Sequence, residues 1–316
     1  MTDFAWRNGR IVVKQTGARI PVTGEFLRDF ARGASFAAEV SAISATRHAR
    51  QRLGRERSQR IRISFAPAMP YPWYAIWAVS HLADLDIVRN PADADILFYF
   101  EDSEHVAALP FDAVDLPVLN GACLDIRKSM VAKTFERVFG YALHVDPRTH
   151  HGLALRKSER NGVHDGQILP CPYFPSTDGQ VYQHLIDNTQ DGRIYTDIRT
   201  PIVGGNLPTV YLKQRKANAR FSNDNFRVVV TSASEQFSAD EQRKITIFAQ
   251  AMNLDFGGMD VLRDRRDGRI YIVDVNKTDM GPPTALPRHD KLVAMRALAD
   301  SFRDYVTARL TAHNSA

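Results

Sequence analysis

From Leu254 to Pro283 the chain reads LDFGGMDVLRDRRDGRIYIVDVNKTDMGPP, with two apolar runs separated by a charged segment. The first run starts at Asp260, and the second covers residues 270–273. Asp267-Gly268, which lies between them, is a dipeptide typical of tight hairpin turns. The pattern predicts a β-hairpin.

Three oxygen-bearing side chains belong to this hairpin: Asp260, Asp274 and Asn276. Since side chains alternate along a strand, Asp274 and Asn276 share one face, while Val275 turns towards the core. Asp260 can lie across from them on the other strand. Mg²⁺ bound to substrate phosphates needs few protein ligands, mostly oxygen. The hairpin is therefore either a metal site or a solvated turn whose acids balance Arg263, Arg265, Arg266 and Arg269.

The composition is that of a protein with a sizeable core. The chain has 316 residues, of which 44% are hydrophobic, and its length suggests about two domains. Cys123 and Cys171 make neither a disulfide framework nor a zinc site, which fits a reducing cytoplasm. The N-terminal residues lack the apolar segment of a signal peptide, and the most apolar window, residues 71–88, is interrupted by charged residues and proline. We expect a cytoplasmic protein with no membrane partner.

Positive charge is concentrated in the N-terminal part of the chain. Residues 1–62 contain 13 Lys and Arg against 5 Asp and Glu, a net charge of +8, whereas the other 254 residues have a net charge of −3. One segment expected to be helical carries Arg47, Arg50, Arg52, Arg55, Arg57, Arg60 and Arg62. It can bind nucleic acid, anionic lipid or an acidic partner. Without interleaved aromatic residues nucleic acid is disfavoured, and we interpret the segment as a solvated helix face or a contact with an acidic part of the same chain.

The first 120 residues predict an extension followed by a small α/β unit. Residues 8–22 indicate a hairpin, and residues 24–60 have helical spacing that Gly33 and Gly54 are expected to interrupt. Strands are then predicted at residues 62–66, 87–88, 96–100 and 117–120, with a helix at 73–85. The continuously apolar run at 96–100 is typical of a buried parallel strand, so a small α/β unit is expected over 62–120.

The following segment presents two lysines on different elements. Residues 124–140 have an amphipathic pattern that predicts a helix ending at Gly140, with Lys128 near its start. Residues 151–157 indicate a strand that delivers Lys157. A polar turn at residues 161–166 and a second strand at 167–169 follow.

Further strands are predicted at residues 181–187, 194–205 and 211–216. Alternation places Asp197 and Arg199 on one face, and it also gives Lys213 and Arg215 a shared face. Ser238 and Glu241 form a capping box that begins a helix reaching Met252. That helix leads back to the hairpin.

This order of features resembles the ATP-grasp enzymes. The likeness is carried, in sequence, by Lys128, Lys157, the strand at 181–187, Asp197-x-Arg199, the basic strand, the capped helix and the signature Asp260…Asp274-x-Asn276. It implies an α/β (α+β) fold in which a small Rossmann-like unit precedes an ATP-grasp fold of two α+β lobes with nucleotide between them. The implied domains are a basic extension at 1–61, a pre-ATP-grasp domain at 62–120 and an ATP-grasp domain at 121–316, with a small lobe at 121–185 and a large lobe at 186–316.

The resemblance also implies a nucleotide site. Lys128 and Lys157 are expected to neutralise the α- and β-phosphates of ATP, and Lys133 is the alternative to Lys128. The strand at 181–187 corresponds to the hinge, whose backbone hydrogen-bonds adenine, so these contacts are expected from Gln183, His184, Leu185 and Ile186. Asp187 is the candidate for a ribose contact. Mg²⁺, or Mn²⁺ in its place, is expected on Asp260, Asp274 and Asn276.

The implied reaction is an ATP-dependent ligation. Arg199, with Lys213 or Arg215, would stabilise charge as a substrate carboxylate attacks the γ-phosphorus, and an amine would then capture the acyl phosphate to form a carbon–nitrogen bond. Small-molecule carboxylates and amines are the expected substrates, with residues 277–283 placed to contact the acceptor. Two alternatives stay open: a kinase of the same fold, and a non-catalytic binding protein that uses its basic arm. No nucleic-acid partner is expected, and a homodimer is left open.

Overall fold

The computed structural model describes residues 4–7, 10–13, 19–53, 60–108, 115–159, 161, 165–174, 179–217 and 225–315. The strands are β1 (Phe4–Arg7), β2 (Arg10–Val13), β3 (Arg19–Pro21), β4 (Arg62–Pro67), β5 (Asp86–Ile87), β6 (Ile96–Phe100), β7 (Val118–Leu119), β8 (Gly152–Ser158), β9 (Gln167–Cys171), β10 (Gln180–His184), β11 (Thr189–Gln190), β12 (Ile194–Val203), β13 (Val210–Lys216), β14 (Arg227–Thr231), β15 (Phe256–Arg263) and β16 (Ile270–Asn276). The helices are α1 (Gly24–Arg52), α2 (Ala75–Leu82), α3 (Lys128–Phe139), α4 (Ala233–Gln236), α5 (Ala239–Ala251) and α6 (Arg288–Asn314).

A parallel four-stranded sheet in the order β5-β4-β6-β7 forms the predicted α/β unit. All five residues of β6 are buried, as a parallel strand covered on both faces requires. Apolar side chains of α1, α2 and α6 complete the core of this sheet. The C-terminal helix therefore packs on a unit that begins more than two hundred residues earlier in the sequence.

Two antiparallel sheets form the part of the chain in which the nucleotide site is predicted. A three-stranded sheet has the order β10-β8-β9, and a six-stranded sheet has the order β14-β13-β12-β15-β16, with β11 paired to β12. Helices α3 and α5 pack with β16 over a common apolar core that includes Phe135, Phe248 and Ile272. β15 and β16 form the hairpin predicted from the sequence, and Gly268 in its turn has a φ of 74°.

Helix α1 runs unbroken from Gly24 to Arg52, so the predicted interruption at Gly33 is wrong. A glycine inside a helix costs only about 1 kcal/mol. Phe36 and Val40, one and two turns further along, are buried in the core shared with α2 and α6, and this packing outweighs the cost. Gly54 lies outside the described residues.

The helix predicted at residues 73–85 is shorter in the structure and begins at Ala75. Tyr74 is extended, with a ψ of 139°, because it pairs through a β-bridge with Met280, just beyond the end of β16. The peptide before α2 is thus joined to the segment that follows the Asp274-x-Asn276 motif. Helix α6 was not among the predicted elements.

The arginines of the basic arm are spread over several elements rather than one helix, because α1 ends at Arg52. Arg60 forms ion pairs with Asp84 at 2.6 Å and with Asp86 at 2.8 Å. Arg47 donates a hydrogen bond of 2.6 Å to a backbone carbonyl of α2. These arginines contact the α/β unit of the same chain. Arg55 and Arg57 lie outside the described residues.

Across the described part of the chain, no helix combines the length and the apolar character needed to cross a membrane. Cys123 is a buried free thiol, and burial raises its pKa to about 12. Cys171 is a free thiol that is partly exposed.

Candidate active site

The strand register places four polar residues in one row across the large sheet. Arg199 of β12 lies opposite Tyr211 of β13 on one side and Asp260 of β15 on the other. Asp260 in turn lies opposite Asp274 of β16. Directly opposed residues point to the same face of a sheet, so this row forms one polar surface. Lys213 and Asn276 share that face, two residues along their own strands.

Asp260 binds two cationic side chains. Its Oδ1 accepts a hydrogen bond from Lys213 Nζ at 3.0 Å and lies 3.3 Å from Arg199 Nη1. Burial alone would raise the pKa of Asp260, but Lys213 and Arg199 outweigh burial and hold its pKa well below the usual range. Asp260 is therefore a carboxylate at neutral pH.

Asp274 has a buried oxygen, Oδ1, that accepts no hydrogen bond from any described residue. Burial raises the pKa of Asp274, and so does nearby Asp260, while Lys128 and Lys157 act in the opposite direction. A buried oxygen without a donor costs about 1–3 kcal/mol. A bound cation would remove that cost.

The charges of the two predicted phosphate lysines both favour the ionised form of Asp274. Burial lowers the pKa of Lys157, and Asp274 opposes that shift. Lys128 begins α3, and its Nζ donates a hydrogen bond of 2.9 Å to Asn161 Oδ1. Lys133, the alternative to Lys128, is exposed on the same helix. Lys128, rather than Lys133, is therefore the lysine of α3 that acts on Asp274.

Asn276 connects the row to the parallel sheet. Its Oδ1 accepts the backbone N–H of Thr278 at 2.9 Å. The hydroxyl of Thr278 donates to Asp102, which follows the carboxyl end of β6. Ligands of open α/β sheets bind at the carboxyl ends of the strands. The end of β16 and this edge of the parallel sheet therefore face a common region.

Arg215 is less available than its neighbours. It forms a buried ion pair with Asp197, and Asn188 donates to the other oxygen of the same carboxylate at 2.9 Å. Of the two basic candidates on β13, Lys213 forms its ion pair with Asp260, whereas Arg215 forms its ion pair with Asp197.

Gln183, in the predicted hinge, has an exposed fraction of 1%. Neither atom of its side-chain amide has a hydrogen-bond partner among the described residues. Gln183 lies opposite Leu155, and Val181 lies opposite Lys157, so Gln183 and Lys157 point to the same face of the small sheet. A buried amide without partners among the described residues suits a ligand group that can both donate and accept hydrogen bonds.

The backbone of the hinge is already engaged in several places. The N–H of His184 donates to the carbonyl of Leu143 at 2.9 Å, and the carbonyl of Leu185 accepts from Arg266 at 2.6 Å. The Asp187 carboxylate accepts from Arg265 at 2.7 Å. β10 ends at His184, so residues 185–187 form the connection to the large sheet, with Ile186 buried in its core.

Three residues around the row have no individual role among the sequence-based predictions. Asp279 forms an ion pair with Arg199, and Gly258 lies against both side chains. Tyr211 is buried, and its hydroxyl has no hydrogen-bond partner among the described residues. The Gly257-Gly258 pair within a strand was a readable signal of close approach. For Tyr211 the sequence gives no comparable signal.

The formal charges around the row favour an anionic ligand. Four cations, Lys128, Lys157, Arg199 and Lys213, surround three carboxylates, Asp260, Asp274 and Asp279. One positive charge is left over before any ligand binds. In a partly buried site such an excess attracts a polyphosphate.

The donor atoms of the row fit a hard divalent cation by chemical type. Asp274 offers an oxygen that has no donor, Asp260 is a second carboxylate, and Asn276 supplies an amide oxygen. In the described ranges, no group of three His, Cys, Asp or Glu side chains is arranged to hold a metal. A metal here would consequently have two carboxylates and one amide from the protein and would need further oxygen from a ligand, as Mg²⁺ with nucleotide does.

No protein-family model matches the chain, and no curated protein matches its sequence. Solved structures do match. One is the ATP-grasp ligase PsnB complexed with a precursor peptide and AMPPNP, with a TM-score of 0.52 and 11% identity over 81% of this chain and 100% of that chain. Another is a RiPP-associated ATP-grasp ligase of Chryseobacterium gregarium in complex with ADP and a leader and core peptide, with a TM-score of 0.50 and 11% identity over 78% of this chain and 97% of that chain.

The class that the architecture and these matches define is the ATP-grasp fold, which confirms the fold predicted from the sequence. At this level of identity the likeness concerns the fold. The division at residues 61, 120 and 185 and the individual roles of the site residues stay predictions.

Proposed function

We propose that the chain binds ATP with Mg²⁺ between its small and large antiparallel sheets and uses it to activate a substrate carboxylate for ligation. The observation that carries this proposal is the single surface on which Asp260 and Asp274 lie opposite each other and on which Arg199 and Lys213 contact Asp260. Excess positive charge, two opposed carboxylates and a buried oxygen without a donor together support binding of a metal–polyphosphate ligand.

On this proposal the nucleotide contacts come from the small sheet and the start of α3. Lys157 and Lys128 neutralise the α- and β-phosphates. The side-chain amide of Gln183, which can donate and accept, pairs with the base edge. The hinge backbone at His184, Leu185 and Ile186 packs along the base, and Asp187 contacts the ribose.

Asp260, Asp274 and Asn276 would hold Mg²⁺. When bound, the ion draws electron density from the phosphate oxygens that it contacts. The protein's own contribution to charge stabilisation comes from Arg199 and Lys213, whose fixed positions suit the oxygens of a transferring phosphoryl group.

The substrate carboxylate attacks the γ-phosphorus and displaces ADP, which gives an acyl phosphate. A nucleophile of the second substrate, an amine if a carbon–nitrogen bond is formed, then attacks the acyl carbon and displaces inorganic phosphate. No side chain of the protein acts as a covalent nucleophile in this scheme. The structures that the chain resembles contain precursor or leader and core peptides, so peptide carboxylates belong among the candidate substrates beside small molecules. The supporting chemistry is the same in both cases.

A screen of ADP release over amino acids, peptides, polyamines and sugar acids, followed by hydroxylamine trapping, tests the proposal. With ATP·Mg²⁺ and a carboxylate substrate that causes ADP release, hydroxylamine should yield the hydroxamate together with ADP. The variant Asp274→Asn should abolish both products. ADP release without hydroxamate, on a substrate that carries a hydroxyl group, would indicate the kinase instead. A chain that neither binds nor hydrolyses ATP would favour the non-catalytic binding protein.

A further inference from the structure

Gly258 on β15 has no room for a side chain. A Cβ atom built on it would lie 2.6 Å from Nη2 and 2.8 Å from Cζ of Arg199, and it would also collide with a carboxylate oxygen of Asp279. Gly258 is not among the residues with positive φ. The fold therefore uses this glycine for its missing side chain, because the guanidinium and the carboxylate lie directly on its backbone.

Asp279 reaches Arg199 from a segment that the α/β unit holds in place. The backbone N–H of Ala75 donates to the carbonyl of Asp279 at 2.9 Å, and the N–H of Gly281 donates to the carbonyl of Trp73 at 2.6 Å. Tyr74 and Met280 add a β-bridge between the same two segments. The carboxylate that grips Arg199 is thus anchored to a different part of the molecule from the strand that carries the arginine.

Arg199 is held at three points. Nη1 lies 3.3 Å from Asp260 Oδ1, Nη2 pairs with Asp279, and Nη2 and Cζ occupy the space that a side chain at Gly258 would take. A free arginine side chain samples many rotamers, which these contacts suppress. The contacts fix the guanidinium of Arg199 beside β15, the strand that carries Asp260.

We propose that Gly258 and Asp279 are positioning residues for Arg199. They hold its guanidinium where negative charge develops on the transferring phosphoryl group. This inference rests on the proposed function, in which Arg199 stabilises that charge. Neither residue touches the reacting atoms: Gly258 makes space, and Asp279 aims the guanidinium.

A positioning role differs measurably from a purely structural ion pair. Loss of a purely structural ion pair would lower the stability of the fold and weaken the binding of every ligand alike. Loss of positioning would spare the binding of ADP·Mg²⁺, which has no γ-phosphoryl group, and would weaken only a ligand that mimics the transferring group. Aluminium fluoride added to ADP·Mg²⁺ supplies such a planar mimic without any need to know the second substrate.

The experiment measures the dissociation constant of ADP·Mg²⁺ with and without aluminium fluoride by titration calorimetry. In the wild type, aluminium fluoride should tighten binding. Asp279→Asn and Gly258→Ala should each remove about tenfold to a hundredfold of that gain. Both variants should bind ADP·Mg²⁺ alone within about twofold of the wild type. Introduced into Arg199→Ala, neither substitution should have a further effect on the aluminium fluoride gain.

Asp267→Asn in the exposed hairpin turn and Gly33→Ala in α1 are matched controls, and both should keep the full gain. If Gly258→Ala does not fold, as circular dichroism would show, Asp279→Asn alone and in the Arg199→Ala background decides the question. Unchanged gain in the variants, or the same further loss when Arg199 is absent, would overturn the inference and leave the proposed function standing. Failure of the wild type to bind ADP·Mg²⁺ would overturn both.

Discussion

At the scale of single residues, Asp264 shows how burial and charge compete. Its side chain is 5% exposed, pairs with Arg266 and accepts the backbone N–H of that residue at 3.0 Å. Burial alone would raise the pKa of Asp264, but the bonds from Arg266 outweigh burial and lower it. A lowered pKa in the folded state stabilises the fold above the unfolded-state pKa, and this contribution is lost as pH falls through the folded-state pKa.

Asp264→Asn should therefore lower the free energy of unfolding by about 1–3 kcal/mol at pH 7. The difference from wild type should shrink as the pH is lowered below the ordinary value of 3.8, because the wild-type carboxylate becomes protonated. Urea unfolding followed from pH 7 downwards, as far as both proteins stay folded, measures this. A difference that does not change with pH would contradict the assignment.

Tyr211 supports the opposite kind of prediction, since its buried hydroxyl has no partner among the described residues. Tyr211→Phe should raise the free energy of unfolding of the ligand-free protein by about 1 kcal/mol, because it removes an unsatisfied polar group. Thermal unfolding compared with the wild type measures the change. Marked destabilisation would show that the hydroxyl makes a bond in the ligand-free protein.

What the sequence revealed about single residues depended on strand alternation. Alternation predicted that Asp274 and Asn276 share a face and that Val275 is buried, and Val275 is fully buried. It could not give the pairing of Asp260 with Lys213, because that contact depends on the register between β13, β12 and β15. Asp279 was named only as part of an acceptor-facing segment, since its ion pair with Arg199 is a contact across 80 residues.

At the scale of elements, two glycines should respond to alanine in opposite directions. Gly33 lies inside α1, where an added Cβ atom would meet nothing within 4 Å, whereas Gly140 ends α3 with a φ of 82°. Gly33→Ala should stabilise the protein by about 0.5–1 kcal/mol, and Gly140→Ala should destabilise it by about 1–2 kcal/mol. Denaturant midpoints of the two variants measure the signs. Equal signs would contradict the helix boundaries described above.

Elements with local signals were predictable, and elements that depend on distant packing were less so. The capping box at Ser238 and Glu241 forms as predicted, with Glu241 N–H donating to Ser238 Oγ at 3.2 Å, because both partners lie within one turn. The continuity of α1 through Gly33 depends instead on packing against α2 and α6. The shortened start of α2 depends on the bridge to Met280, which no local pattern encodes.

At the scale of the whole molecule, α6 links the two ends of the chain. Met295, Leu298, Phe302 and Val306 of α6 are buried in the same core as β4, β6 and α2. The order of the elements in the sequence predicts a division at residue 120, and nothing in that order indicates that the last helix packs on the parallel sheet. The domain boundary concerns chain order, whereas the core is shared.

A chain that ends at Pro287 should therefore lose the folded parallel sheet, since removal of α6 exposes the apolar face that the sheet and α2 present to it. Urea unfolding of this truncated chain, monitored by circular dichroism, should show no cooperative transition for the unit that contains the parallel sheet. A matched deletion of only the last turn, residues 311–316, which are exposed where described, should leave the transition intact. A truncated protein that unfolds as cooperatively as the full chain would contradict the shared core.

The most direct measurement of the central claim is calorimetric titration of AMPPNP into the protein with Mg²⁺ and with EDTA, repeated for Asp274→Asn and for the control Asp267→Asn. The wild type and the control should bind AMPPNP more tightly with Mg²⁺ than with EDTA. Asp274→Asn should lose about tenfold to a hundredfold in affinity with Mg²⁺ and little with EDTA. If the wild type bound no AMPPNP, or if Asp274→Asn bound it with Mg²⁺ as tightly as the wild type, the surface that carries Asp260 and Asp274 would not be a nucleotide–metal site.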